Sequence, residues 1–341
     1  MLQIEDARPS KRSRKSIEGV RDPDLYFSDG NIVLFASSEN IDTVTEETPA
    51  VNTYFRVHQS VLAKHSPVFK DMFSLPRPVE GHEKYDDAPL VTLYDDPRDL
   101  KGFLTTLYDP CFIPDGRYNP DFASTMRGPA KLAAKYQVQS LLERVIARLK
   151  CDWPATIEEY YQREDELGPD DRLDPMPVLD LIEDCGMQSR LVQELAVIRY
   201  DLYKEARVRS NDRDWHDQYR MLFNAQKLFH DILLRFDLST DLSTDCGYCS
   251  RLDRCPSQDI QKYFLRKFIL IETNVHTCFF YEMRKLIRQI EEGGDISLFD
   301  EICGECERFY SNKFDVFRQE VFKKLPVIFD TNKFESLSEN A

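Results

Sequence analysis

Alternation gives way to helical spacing at one histidine early in the chain. In "FRVHQSVLAKHSPVFKDMF" (Phe55 to Phe73), Phe55 and Val57 alternate with Tyr54 and Arg56, the pattern of a half-buried strand. From Val61 the apolar residues fall at helical intervals: Val61, Leu62, Val68, Phe69, Met72 and Phe73. Ser66-Pro67 splits this run, because serine caps a helix well and proline is tolerated at its first position. The pattern predicts a strand, a short helix and a capped helix, with Leu62, Phe69 and Phe73 in the core.

The same reading extends to both sides. "DGNIVLFAS" (Asp29 to Ser37) is a turn followed by a strand, and "SENIDTVTEETPAVN" (Ser38 to Asn52) is a long polar hairpin loop. "PLVTLYD" (Pro89 to Asp95) is a third strand. Asp96-Pro97 repeats the cap-plus-proline start, and the helix behind it shows Leu100, Phe103, Leu104 and Leu107. "PAKLAAKYQVQSLLERVIARLK" predicts two helices, the second with Leu141, Leu142, Val145, Ile146 and Leu149 on one face. Trp153-Pro154 closes this block.

Beyond it the pattern predicts helices only. A pair carries Val178, Leu181, Ile182 and Cys185, then Leu191, Leu195, Ile198 and Leu202; a third carries Ala225, Leu228, Phe229, Ile232, Leu233 and Phe236. "STDLSTDCGYCSRLDRCPS" (Ser239 to Ser257) breaks the period and reads as a linker. A long helix follows, from Ile260 to Ile290, stopped by Gly293-Gly294. A last helical region runs to Leu325-Pro326. Residues 1–21 are polar and aperiodic, which predicts disorder.

Composition narrows the classes. At 341 residues the chain has room for two or three domains, and no apolar run is long enough for a membrane span. The N-terminus lacks an apolar signal core, so the expectation is an intracellular protein, cytoplasmic or nuclear, with its nine cysteines reduced. The formal charge is −15. Arg8, Lys11, Arg12, Arg14, Lys15 and Arg21 against Glu5, Asp6 and Glu18 give residues 1–21 a net +3, leaving −18 on the rest. So acidic a body disfavours nucleic acid as a partner. The run "KRSRK" (Lys11 to Lys15) is either a nuclear address or a solvated tail.

Chemistry has few footholds. There is no G-x-S-x-G, H-E-x-x-H, P-loop or dinucleotide fingerprint, and the six histidines are scattered. The acidic stretch "REDELGPDDRLD" (Arg163 to Asp174) reads as a solvated loop. The cysteines carry the one candidate site. Cys246 and Cys249 form C-G-Y-C, Cys303 and Cys306 form C-G-E-C, and two such pairs can supply the four thiolates of a tetrahedral zinc site. Against this, an unbroken helix from Ile260 to Ile290 would be about 45 Å long and would hold the pairs apart. Phe299, Ile302, Cys303, Cys306, Tyr310, Phe317 and Val321 also lie close to one helical stripe, the pattern of buried thiols. Zinc and core packing both stay open on the sequence.

The segments "DGNIVL", "FRVHQSVLAKHSPVFKDMF", "VTLYDDPRDLKGFLTTLY" and "AAKYQVQSLLERVIARL" together resemble the BTB/POZ domain, in the version common among basidiomycete fungal proteins. The tail "CGECERFYSNKFDVFRQEVFKKLPVIFD" is similar to the end of those fungal chains. The resemblance implies an α+β fold: a BTB/POZ domain, a small mixed sheet with helices, followed by an all-α extension. It implies that His58 sits where the strand turns into the first helix and packs and hydrogen-bonds locally. The expected organisation is a disordered basic tail (1–21), a BTB/POZ domain (22–153), a helical extension (154–238), a linker (239–257), a C-terminal helical region (258–330) and a disordered tail (331–341).

The function implied is a non-enzymatic protein–protein interaction module or adaptor, with protein partners and homodimerisation in view and neither nucleic acid nor membrane as partner. Cullin binding is a role of the family, and "DPCFIPDGRYNP" (Asp109 to Pro120) does not clearly supply the apolar motif it uses. The basic tail stands where many animal members carry an apolar dimerisation helix. The alternatives are a nuclear regulator that recruits through the BTB block, or an enzyme with a dispersed site.

Overall fold

A computed structural model describes residues 19–37, 51–75, 83–167, 173–208, 275–292 and 304–329. The chain divides into two compact units, Met1–Asp115 with Thr125–Leu142, and Gly116–Ser124 with Glu143–Ala341.

The first unit is built on strands β1 (Val20–Tyr26), β2 (Ile32–Ala36), β3 (Thr53–Val57), β4 (Lys84–Tyr85) and β5 (Ala88–Leu93), with helices α1 (Gln59–His65), α2 (Pro67–Ser74) and α3 (Pro97–Tyr108). The sheet order is β1-β3-β2-β5-β4. β1 runs parallel to β3 and β2 parallel to β5, while the β2–β3 and β4–β5 pairs are antiparallel. Helices α4 (Phe122–Lys135) and α5 (Gln139–Asp152) follow.

Local chemistry sets the helix starts. The Ser66 hydroxyl accepts from the Phe69 N–H at 3.1 Å and donates to the Tyr136 carbonyl at 2.6 Å, so one side chain caps α2 and ties it to the end of α4. Asp96 accepts from the Arg98 N–H at the start of α3. α4 begins at Phe122, seven residues before the Pro129 start the sequence suggested, because Phe122, Ala123 and Met126 extend its buried face. Pro129 then lies inside the helix, and its ring packs where a Cβ on Gly102 would come within 2.9 Å.

The sheet is curled. Tyr54 on β3 and Tyr85 on β4 have β2 and β5 between them, which in a flat sheet means about 14 Å. Their rings instead stack 4.1 Å apart. Val33, Phe35, Tyr54 and Ala88 form a small core inside the curl, with Tyr26, Tyr85 and Leu90 packed against it. The other face carries Ile32, Leu34, Ala36, Phe55 and Val57, all buried, and the helices add Leu62, Phe69, Leu100, Phe103 and Leu104. β3 is therefore covered on both faces, not half-buried as alternation suggested: its Tyr54 is sealed by the β4–β5 hairpin folding over. Phe73 is only half-buried, contrary to expectation. It lies one residue from the end of α2 and stacks one face on Phe69 at 6.0 Å.

Two elements of this unit were not expected. β1 begins at Val20, inside the stretch read as disordered tail. β4 is joined to β5 by Asp86 and Asp87, both at positive φ (46° and 62°), the two-residue turn whose twist suits a hairpin.

Among the described residues the second unit is helical beyond α5: α6 (Ile157–Glu166), α7 (Pro175–Asp184), α8 (Val192–Val208), α9 (Val275–Glu292) and α10 (Gly304–Ile328). α6 starts with a capping box between Thr156 and Glu159. The stripes expected on α7 and α8, from Val178 to Leu202, are buried. Aromatic rings knit the helices together: Tyr200 meets Phe280 at 5.2 Å, Phe280 meets Phe322 at 5.5 Å, and Phe279 meets Phe317 at 5.9 Å. α10 continues through Pro326 to Ile328, past the expected stop. Phe329 N–H still donates to the Leu325 carbonyl at 2.9 Å, so the last turn closes around the proline.

Arg163 to Glu166, expected in a solvated acidic loop, are the last turns of α6. Arg163 is only 4% exposed. Its guanidinium meets Asp201 at 2.5 Å and lies over the rings of Trp153 (5.0 Å) and Tyr160 (5.3 Å). Burial disfavours its charge, but Asp201, Tyr160 and Glu164 together outweigh that and raise its pKa. The third helix expected over Ala225–Phe236, the linker at 239–257 and the first half of the long helix lie outside the described residues.

Candidate functional site

His58 was the first residue to weigh, since a histidine at a hinge can do chemistry. It directly follows β3 and stands at the N-cap position of α1. Its backbone N–H donates to the Tyr108 hydroxyl at 2.9 Å, and its Nδ1 lies 3.0 Å from the same oxygen. Its Nε2 lies 3.3 Å from Asp29 Oδ2. One assignment satisfies every group: Nε2–H donates to Asp29, Nδ1 accepts from the Tyr108 O–H, and that oxygen accepts from the His58 N–H. Phe27 covers the arrangement, stacked on Tyr108 at 4.9 Å and tilted against His58 at 5.5 Å. The histidine is a structural pin between strand and helix, as its position implied.

The four cysteines of the candidate zinc set are only partly within view. Cys246, Cys249 and Cys303 lie outside the described residues. Cys306 sits in the first turn of α10, 2% exposed and in no disulfide. Tyr310, Phe317 and Val321 of the same stripe are buried with it. Among the described residues no group of three or more His, Cys, Asp or Glu side chains could hold a metal ion. Lys11 to Lys15 also lie outside the described residues.

A polar clasp that sequence reasoning missed closes the curl. The Arg21 guanidinium meets Asp86 at 2.6 Å, and the Tyr26 hydroxyl donates to the same carboxylate at 2.5 Å. Arg21 also lies over the Tyr26 ring at 4.9 Å. Burial and the bond to Asp86 push the Tyr26 phenol up to about 12. The signal available was Asp86-Asp87 between Tyr85 and Ala88: two residues that tolerate left-handed backbone, between strand-forming neighbours.

Around this framework the first unit exposes large side chains that burial would favour. Leu75, at the end of α2, is 66% exposed, and Tyr94, between β5 and α3, is 73% exposed. Such residues can supply apolar contact to a protein partner. Residues 38–150 match the BTB/POZ domain family. This part of the chain is a BTB/POZ domain. Its fold is the α+β arrangement expected, a small curled mixed sheet with helices, followed by further helices. The BTB/POZ domain is a protein–protein interaction module. β1 and β2 lie ahead of the matched residues, and α6 to α10 lie beyond them. No match is found among curated proteins. No helix among the described residues is long and apolar enough to cross a membrane.

Proposed function

We propose that this chain is a non-catalytic adaptor of the fungal BTB/POZ type, acting inside the cell, in the cytoplasm or the nucleus. Its BTB/POZ domain recruits a protein partner. The observation that supports this reading is the matched block, which together with β1 and β2 ahead of it packs around a full core while Leu75 and Tyr94 stay outside it. Partners are selected by shape and charge complementarity, and a second copy of the chain is one candidate.

Affinity capture with the full chain, read by mass spectrometry, tests this. Specific proteins are expected in the wild-type capture, and fewer with a Leu75→Ser/Tyr94→Ser variant. A capture no richer than an unrelated bait would sink the adaptor reading.

Charge gives a second expected result. Residues 1–18 carry +2 of the chain's −15, so a protein lacking them carries −17. Removing only these residues spares β1. This protein is expected to show no binding to duplex DNA at physiological salt, because an acidic body cannot replace the counterions of the phosphate backbone. Tight, salt-sensitive binding in a mobility-shift titration would point to a nucleic-acid role.

We propose further that Cys306 is a core thiol, supported by its burial beside the rest of its stripe. Elemental analysis of purified protein is then expected to find well under one zinc per chain. A ratio near one, lost in Cys303→Ser, would instead establish the four-thiolate site.

A further inference from the structure

A strand at the edge of a sheet offers unpaired N–H and C=O groups to any other strand, including the same strand of a second copy. Among the described residues this sheet has two edges, β1 and β4. We infer that both are closed to strand addition, that β1 stays in its own chain, and that partners reach the BTB/POZ domain without joining its sheet.

At the β1 edge the ladder with β3 is interrupted. Val20 and Arg21 pair with Thr53 and Tyr54, and pairing resumes only at Tyr26 opposite Arg56. The residues between them form a tight local turn. Asp22 is buried, and its Oδ1 accepts from the N–H groups of Asp24 at 2.9 Å and Leu25 at 3.0 Å. Pro23 has no N–H to offer. Three consecutive positions in the middle of the strand therefore present no free donor to an incoming strand. Lys101 of α3 fixes the turn from the helix side, meeting Asp22 at 3.1 Å and Asp24 at 2.7 Å. A bulge, a proline and charged side chains are the means by which edges are blunted against aggregation.

At the β4 edge the strand is two residues long, and its turn residues Asp86 and Asp87 are both charged. The curl then turns the two edges toward each other. Arg21 from β1 and Asp86 beside β4 are joined at 2.6 Å, with Tyr26 sharing the carboxylate. An added strand at either edge would have to displace this clasp. The inference holds whatever the partner is, so it can fail while the adaptor reading stands, and the reverse.

Disulfide trapping decides where β1 belongs. Val20 and Thr53 are register partners in a parallel pair, where Cα atoms lie about 4.8 Å apart, within the 4.4–6.8 Å that a disulfide spans. The full chain would carry Val20→Cys and Thr53→Cys, with the exposed Cys111 and Cys151 changed to serine. Mild oxidation is expected to bridge the two positions within one chain, giving a monomer-sized band on a non-reducing gel that contains the linked peptide pair. The same peptide pair in a dimer-sized band would overturn the inference, and so would the absence of any bridge in folded protein. A second variant tests the closure. Asp22→Ser/Pro23→Val, combined with Asp86→Ala, is expected to self-associate at least tenfold more tightly than the parent by light scattering over a concentration series. Unchanged association in that variant would show that these residues do not guard the edge.

Discussion

Replacing Asp201 with alanine is expected to destabilise the second unit by about 3 kcal/mol, because it takes from a buried guanidinium its closest counter-charge and leaves it only Glu164 at 3.3 Å. Arg163 is almost wholly enclosed by Trp153, Tyr160 and Asp201, so water cannot take the place of the lost carboxylate. Replacing both partners, Arg163→Met with Asp201→Leu, is expected to cost far less than the single change, since hydrophobic replacements for a whole buried ion pair are often neutral. Urea denaturation of the two variants beside wild type measures the contrast. Equal losses in the single and the double variant would mean that the charge pair is not what the site depends on.

Phe69→Ala should cost a similar amount in the first unit, about 3–5 kcal/mol, the range for emptying an aromatic position in a core. Phe69 is fully buried, and its ring stacks on Tyr136 at 4.5 Å. Tyr136 is held in turn by Phe103 at 5.7 Å and by a short hydrogen bond from its hydroxyl to buried Asp95. The cavity therefore opens between partners that are fixed on several sides and cannot collapse into it. A melting temperature unchanged from wild type would remove this packing from the account.

The helices that were legible in the sequence had two independent signals. α2 and α3 showed a cap followed by proline and an apolar stripe behind it, and both start there. α7 and α8 showed stripes from Val178 to Leu202 that are buried. The elements that were not legible each lack the usual period for a physical reason. β1 has no alternation because four of its seven residues, Asp22 to Leu25, form a local turn. β4 is too short to show any period. The end of α6 looked like solvated charge because Arg163 reads as polar wherever it stands, and its partner Asp201 is 38 residues away. The same limit applied to the clasp. Arg21 and Asp86 come together only through the curl of the sheet, which no local pattern announces. Part of the candidate site was legible: His58 could be placed as a structural residue from its neighbours. The zinc set could not be weighed from spacing alone, since that depends on whether one long helix is continuous.

The clasp also sets an order of events. Arg21 and Asp86 are far apart along the chain, and they can meet only after β3, β2 and β5 have formed the surface between them. Contacts that depend on such distant closure form late, so their loss falls on the rate of opening more than on the rate of folding. Arg21→Ala should then leave refolding in stopped-flow traces nearly unchanged and quicken unfolding; a slowed refolding phase would contradict this. The clasp acts as a latch on a finished sheet, setting how long the protein holds its shape rather than how fast it acquires it.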